Sequence, residues 1–385
     1  MLTSTYEPVT GGAETYLRLL GEGLVARGHE VVVATDGSWV PDLPRDRVEP
    51  GGRVVRPREF DGWLDDRTKP KWRQLQYAVL EELGELLKGE TFDVVHANSH
   101  DTLVLASIIA LDLGAALVCT LQEMTPHLEA FGSGRCRLSY QALPVDLYLA
   151  PSRFYAERAV GYGVPADRLR LVYYGVREEP GDRLAARAEL GITDAHRLIL
   201  CPARLYARKA QLDLAAALPA VAARHPGVRV LLAGRVSDVG YEQRLWQALD
   251  ELGVAHLVTH RDDLYAGDMP SVYAAADVVV LPSLEEGLGL AAVEAMYAGR
   301  PLVVTDVTGL NEVVTHEQDG LLVPPSAPDR LAAALLRLLD DSPLAQRLAT
   351  CGRVTAHERF GLDRMVDETL TGYEDARARR ATAAP

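Results

Sequence analysis

An α/β fold of two doubly wound parallel sheets is what this chain predicts, on three observations. Short apolar or β-branched runs alternate with helix-length segments along most of the sequence, the pattern of parallel strands covered by helices. The alternation breaks once, at the charged Gly/Pro stretch Gly175-Val176-Arg177-Glu178-Glu179-Pro180-Gly181-Asp182, and then restarts. At 385 residues the chain is also too long for one core of ordinary size. Two Rossmann-like domains facing a cleft follow, an N-terminal one over 1–177 and a C-terminal one over 183–362.

Taken in order, residues 2–5 form a stub of a strand, 13–27 a helix and 30–35 a strand. A helix follows over 75–88, a strand over 93–97, a helix over 102–113 and a strand over 116–121. The helix 154–162 separates the strands 147–150 and 169–173, while 36–75 and 122–140 read as loops. Past the break come strands at 197–201, 228–233, 256–260, 277–281, 302–305 and 320–323, with helices between, and a last helix over about 363–377. The clearest strand is Asp277-Val278-Val279-Val280-Leu281, continuous and β-branched. The clearest helix is 291–298, rich in strong helix formers. In open parallel sheets ligands bind beyond the carboxyl ends of the strands, so two such sets of loops are expected to line one cleft.

Composition sets limits on the partners. At 48% hydrophobic and 24% charged residues this is ordinary globular composition, with no apolar run near the ~18 residues of a membrane span. The first residues lack the basic and apolar regions of a signal peptide, which makes the cytoplasm the expected location. Cys119, Cys136, Cys201 and Cys351 show neither zinc nor disulfide spacing. The net charge of −14 is spread evenly, and residues 1–180 hold 19 Lys/Arg against 26 Asp/Glu. That balance argues against nucleic acid or an anionic membrane as the main partner. One basic cluster, Arg67-Thr68-Lys69-Pro70-Lys71-Trp72-Arg73 with Trp63 nearby, reads either as weak peripheral contact with a membrane or a phosphate-bearing acceptor, or as a solvated loop.

The most informative segment is Glu286-Gly287-Leu288-Gly289-Leu290-Ala291-Ala292-Val293-Glu294, where a strand hands over to a helix. Glycine tolerates φ > 0 and close approach of a ligand, and the first helical N–H groups with the helix dipole attract anions. A carboxylate before the helix and another about two turns into it would accept from sugar and ribose hydroxyls, with a diphosphate between. The plain alternative is a dipole partner and a solvated helix residue. After the strand at 197–201, Arg204 and Lys209 bring a guanidinium fork and an ammonium, which suit a diphosphate and the charge growing on it as it leaves. A basic surface loop reads the same way. Gly11-Gly12-Ala13-Glu14 is either a ligand-facing turn or simply a tight one, and Leu121-Gln122-Glu123-Met124 offers an amide and a carboxylate.

Together these pieces closely resemble the retaining glycosyltransferases of the GT-B fold, family 4 (glycosyl transferases group 1). The resemblance runs from Gly11-Gly12-Ala13-Glu14 and Arg27-Gly28-His29-Glu30-Val31 through Asp93-Val94-Val95-His96, Pro151-Ser152 and Tyr174-Gly175-Val176. It continues through Ala203-Arg204-Leu205 with Lys209, Pro282-Ser283, the 286–296 segment, Gly309 with Glu312-Val313-Val314, and Gly320-Leu321-Leu322-Val323-Pro324-Pro325. It implies transfer of a sugar from a nucleotide-diphosphate donor, a UDP-sugar, to an acceptor hydroxyl with the anomeric configuration kept. By position Arg204 and Lys209 hold the diphosphate, Glu294 the ribose and Glu286 the transferred sugar. The backbone at Gly287, Leu288, Gly289 and Leu290 holds phosphate and sugar, and Gly12 approaches the phosphate from the first domain. The resemblance also implies no metal and no other cofactor, and a last helix folded back onto the first domain.

Two departures stand out. The first strand is short, which predicts a frayed sheet edge. Where relatives often carry a histidine touching the donor sugar, this chain has Gln122, which cannot titrate near neutrality. His96 and His100 nearby read as an acceptor site or as structural histidines. Carboxylates at Asp61, Asp65, Asp66, Glu123 and Glu129, with His127, suit a cationic or hydroxyl-rich small molecule such as an aminocyclitol. The alternatives are a cell-surface polysaccharide or lipid-linked saccharide acceptor, a sugar-nucleotide epimerase or hydrolase on the same scaffold, and an idle binding protein.

Overall fold

Parallel strands buried on both faces need continuous apolar runs, and the runs seen in the sequence become the centres of two sheets. The computed structural model describes residues 1–8, 11–37, 40, 42–57, 75–122 and 133–383. It divides into one unit of Met1–Gly175 with Leu362–Pro385 and a second of Val176–Gly361.

The first unit runs β1 (Leu2–Thr3), α1 (Gly12–Ala26), β2 (Val32–Thr35), β3 (Asp46–Glu49), β4 (Gly52–Val55), α2 (Leu75–Leu86), β5 (Val94–Ala97) and α3 (Leu103–Leu113). It continues with β6 (Ala116–Thr120), α4 (Ser133–Ala142), β7 (Leu147–Ala150), α5 (Arg153–Gly161) and β8 (Leu169–Leu171). Among the described residues its eight-stranded sheet has the order β3-β4-β2-β1-β5-β6-β7-β8, parallel except where β3 meets β4. The second unit runs α6 (Arg183–Glu189), β9 (Arg197–Pro202), α7 (Gln211–Arg224), β10 (Val228–Ala233), α8 (Val239–Glu251), β11 (Val258–Arg261), α9 (Met269–Ala275) and β12 (Val278–Leu281). Then come α10 (Leu290–Tyr297), β13 (Leu302–Thr305), α11 (Leu310–Val313), β14 (Leu321–Val323), α12 (Pro328–Asp340) and α13 (Ser342–Arg359). Its six strands are all parallel, in the order β11-β10-β9-β12-β13-β14.

Both sheets reverse their winding at one place, between β1 and β5 in the first and between β9 and β12 in the second. Connections leave those strand pairs toward opposite faces, which opens a crevice at their carboxyl ends. β9 and β12 are in register through Ile199↔Val278 and Leu200↔Val279, so the loops that follow them emerge side by side.

Three expectations are corrected. β1 is two residues long yet lies inside its sheet, with Leu2 paired to both Ala34 and Ala97, so its shortness frays no edge. Within the stretch read as loop over 36–75, residues 46–55 form a hairpin, β3 against β4. Its apolar pair Val54-Val55 is flanked by Arg53 and Arg56, and Arg56 is buried with its charge met by Glu49 at 2.7 Å. The loop read over 122–140 gives way to α4 from Ser133.

The last helix, α14 (Leu362–Ala383), belongs to the first unit. Gly23 of α1 lets Val366 approach so closely that a Cβ at that glycine would collide with it. Arg27 reaches Asp363 at 3.0 Å and Asp367 at 2.9 Å, and Tyr373 bonds His96 Nδ1 at 2.7 Å.

Candidate active site

In the second unit the chain after β9 makes a short 3-10 turn, 207–209, and enters α7 through Ala210, a non-glycine residue in the left-handed region at φ 50°. That turn is stitched to the loop after β12, because Leu284 N–H donates to the Arg208 carbonyl at 2.8 Å. It is stitched also to the loop after β10, where Leu205 N–H donates to Arg235 O at 2.9 Å and Ser237 N–H to Leu205 O at 3.0 Å. Two loops at the reversal point thus hold each other before any ligand is considered.

Their side chains converge. Lys209 Nζ forms an ion pair with Glu286 Oε1, and Ser283 Oγ donates to the same oxygen at 2.8 Å. Glu286 is only 8% exposed, and its carboxylate meets a cation and a hydroxyl in place of water. Arg204 and Arg208 each lie over the Tyr206 ring, at 5.3 and 5.4 Å, and Arg208 Nε also donates to the Tyr206 hydroxyl at 3.1 Å. Arg204 is exposed at the mouth of the loop. Beneath them Cys201 is buried, which pushes its thiol up to about 12 and leaves it inert.

Gly289, at φ 91°, starts α10 with no side-chain cap. A Cβ there would lie 2.5 Å from Leu310 Cδ2. Among the described residues, no carbonyl or side chain accepts from the backbone N–H groups of residues 285–291. Those donors, with the positive end of the α10 dipole, form a cradle for an anion. Gly309, at φ 84°, backs the cradle so closely that a Cβ there would lie 2.6 Å from Glu286 O. Further along α10, Glu294 Oε2 accepts from Tyr273 OH at 2.6 Å. Burial, together with Glu294, raises that phenol well above its ordinary range, so it stays a donor.

The first unit presents a different kind of site. Gly11 precedes α1 with no side-chain cap, and Thr5 Oγ1 donates to Glu14 in the first turn. Gln122, after β6, donates through Nε2 to Asn98 Oδ1 at 2.5 Å, while its carbonyl accepts from Tyr155 OH at 2.9 Å. His100 is buried, with Nε2 3.4 Å from Asp101 Oδ1. His96 is 1% exposed, between Tyr373 and Thr120, each at 2.7 Å, and Thr120 in turn meets Tyr16 OH at 3.1 Å. Burial lowers the His96 pKa to about 3. A neutral imidazole closed in by hydroxyls is structural, which removes His96 from the acceptor reading.

The structure therefore brings Lys209, Glu286, Gly287, Leu288, Gly289 and Leu290 together, with Arg204 on the same loop as Lys209 and Glu294 on α10. In the first unit Gln122 is connected through Asn98 to Ala13, the neighbour of Gly12. Glu123 lies outside the described residues, as do the 67–73 cluster and the carboxylates at 61, 65, 66 and 129. Sequence reasoning passed over Ser283, Tyr273 and Asn98 as working side chains. Ser283 carried a signal, standing at the carboxyl end of the clearest strand, whereas Tyr273 and Asn98 are brought in only by packing. A separate cavity of about 790 Å³ lies at the amino ends of the second sheet, walled by Arg197, Arg300, Gln346 and Arg353. Its cations are engaged, Arg300 by the carbonyls of Ala298 and Ala276 at 3.0 and 3.2 Å and Arg353 by Glu178. Among the described residues no group of three His, Cys, Asp or Glu is placed to hold a metal, and no helix is long and apolar enough to cross a membrane.

Comparison with known proteins gives consistent matches across the chain. The model for Glycosyltransferase Family 4 matches residues 10–179, and that for Glycosyl transferases group 1 matches 196–341. An uncharacterized glycosyltransferase of Methanocaldococcus jannaschii is 29% identical over 98% of this chain and 97% of its own length. A D-inositol 3-phosphate glycosyltransferase of Acidothermus cellulolyticus is 29% identical over 97% of this chain and 88% of its own. Among solved structures, Anabaena HepE in complex with UDP-glucose superposes with a TM-score of 0.78 at 23% identity, covering 96% of this chain and 98% of that one.

Proposed function

The chain belongs to the family 4 glycosyltransferases of the GT-B fold, and from that premise we propose that it moves a sugar from a UDP-sugar to a hydroxyl of a small cyclitol-like acceptor, with retention. The observation that carries this reading is the meeting of Lys209, Ser283 and Glu286 with the uncapped start of α10.

The cradle of N–H groups over 285–291 takes the diphosphate, with Lys209 and Arg204 as its cations. Glu286 accepts from hydroxyls of the transferred sugar. Glu294, oriented by Tyr273, accepts from the ribose. In the transfer the bond from the anomeric carbon to the diphosphate oxygen breaks, and the acceptor oxygen bonds to that carbon on the face being vacated. The acceptor proton passes to an oxygen of the departing diphosphate, so no protein base is needed. Negative charge growing on the leaving group is met by fixed donors whose orientation costs nothing at the moment of reaction. Lys209 and the helix start supply the electrostatic role a divalent cation would otherwise fill, which makes the reaction metal-independent in this reading.

Two things support a cyclitol-like acceptor. Curated relatives carry the name D-inositol 3-phosphate glycosyltransferase, and Gln122 is a neutral amide of the kind that suits hydroxyls. Thermal-shift screening of UDP, GDP and ADP tests the nucleotide. Transfer to inositol phosphates, aminocyclitols and lipid-linked saccharides then tests the acceptor, with the product anomer read by NMR. An inverted product overturns retention, EDTA sensitivity overturns metal independence, and donor consumption equally fast without any acceptor favours a hydrolase or epimerase. Equal use of amino and deaminated cyclitols removes a role for the loop carboxylates.

A further inference from the structure

Asn98 stands just past β5, at the strand pair where the first sheet reverses, and is 2% exposed. Its backbone N–H donates to Leu2 O at 2.8 Å. Its side-chain nitrogen reaches Thr3 Oγ1 at 3.3 Å and the Ala13 carbonyl at 3.5 Å, and its oxygen accepts from Gln122 Nε2 at 2.5 Å. The Ala13 carbonyl can only accept, which fixes the end of the Asn98 amide that carries nitrogen. Asn98 Oδ1 must then face Gln122, and Gln122 must turn its own nitrogen toward Asn98. The Gln122 backbone carbonyl accepts from Tyr155 OH, while its side-chain nitrogen donates to Asn98.

One buried side-chain amide thus joins the end of β1, the start of α1 beside Gly12, and the residue after β6. We propose that Asn98 is a positioning residue for sugar transfer, holding the Gly12 turn and Gln122 in one register. The proposal rests on the transferase reading and deepens it. It assigns the neutral Gln122 a fixed orientation, a task a titrating histidine at that position would perform differently.

The test uses the full chain with UDP-glucose, UDP-N-acetylglucosamine and GDP-mannose as donor probes and inositol phosphates, aminocyclitols and lipid-linked saccharides as acceptor probes, turnover read as acceptor-dependent nucleoside diphosphate release, and nucleotide affinity by calorimetry. For the donor the wild type uses, Asn98→Ala is expected to lower kcat about tenfold with KM changed less than about twofold, the size expected for losing one orienting hydrogen bond. Gln122→Ala should lower kcat as well, and the double variant should lose less than the two single losses combined, because both remove the Asn98–Gln122 bond. Nucleotide affinity, set by the second unit, should stay within about twofold of wild type. Asn98→Asp keeps an acceptor for Gln122 but sets an oxygen against the Ala13 carbonyl, so it should fall between wild type and Asn98→Ala. Unchanged kcat in Asn98→Ala, independent losses in the double variant, or a fall in nucleotide affinity and thermal stability as large as the fall in kcat would each overturn the proposal. Wild-type protein inactive on all three donors removes the transferase reading and this inference with it. Active wild type matched by Asn98→Ala removes this inference alone.

Discussion

The loops at the reversal point of the second sheet are linked by charged side chains, whereas the described side chains that link those of the first are amides and hydroxyls. In the second unit an ammonium, a buried carboxylate and a row of backbone donors surround one spot. In the first, amides and hydroxyls do the linking, and the nearest first-turn charge is the carboxylate of Glu14. A diphosphate carries formal charge that must be met by cations and oriented dipoles, while sugar and acceptor hydroxyls need only directional partners. The difference teaches that one topology, used twice, has been fitted with different chemistry, which in the proposed transfer serves the leaving part of the donor from the second unit and neutral hydroxyls from the first.

The strongest way to break this contrast is Lys209→Ala. If the ammonium stabilises the leaving diphosphate, kcat should fall about 10²–10³-fold, measured by nucleotide release under saturating donor. Turnover within about threefold of wild type would mean that Lys209 serves only to neutralise Glu286. Next is Gly309→Ala, where the added Cβ meets Glu286 O in a backbone conformation that L-residues rarely adopt. A loss of about 2 kcal/mol in urea unfolding is expected, with weaker donor affinity because the Glu286 turn must shift. Full stability with normal affinity would show that the cradle is softer than its packing implies.

The first unit offers a pH test. His96 is neutral when folded, its pKa lowered to about 3, against about 6.5 when unfolded. Between those values the unfolded chain binds a proton that the folded chain does not. Its contribution is therefore complete above pH ~6.5 and is lost as pH falls, by about 1.4 kcal/mol per pH unit. His96→Gln should flatten the acid limb of stability by about one proton, as read from denaturation at stepped pH. An unchanged slope would put the imidazole in contact with water. The smallest effect belongs to Ala210→Gly. Relief of a left-handed alanine is offset in part by the greater freedom of glycine when unfolded, leaving a gain of less than about 1 kcal/mol in thermal unfolding. A loss instead would show that the Ala210 methyl packs well enough to offset the strain.

Legibility followed local chemistry. Val278–Leu281 and Leu147–Ala150 were found to within a residue because a strand buried on both faces must be apolar throughout. Glu286, Gly289 and Glu294 were visible because a glycine turn before a helix has a local signature. The hairpin at Arg53 and Arg56 was hidden because a buried arginine matched by Glu49 looks like surface until its partner is known. His96 was ambiguous for the same reason: a histidine in a strand is a ligand or a packed ring depending on Tyr373, which lies 277 residues away.

What the sequence by itself determined is the parallel α/β architecture and the family, since these rest on periodicity and on short-range glycine and charge patterns. What only the tertiary structure decided is which side chains work as pairs: Lys209 with Glu286, Tyr273 with Glu294, Asn98 with Gln122. A strand's own residues fix its burial, but hydrogen bonds and ion pairs join residues distant in the chain, and only the order of strands in the sheet brings them within reach.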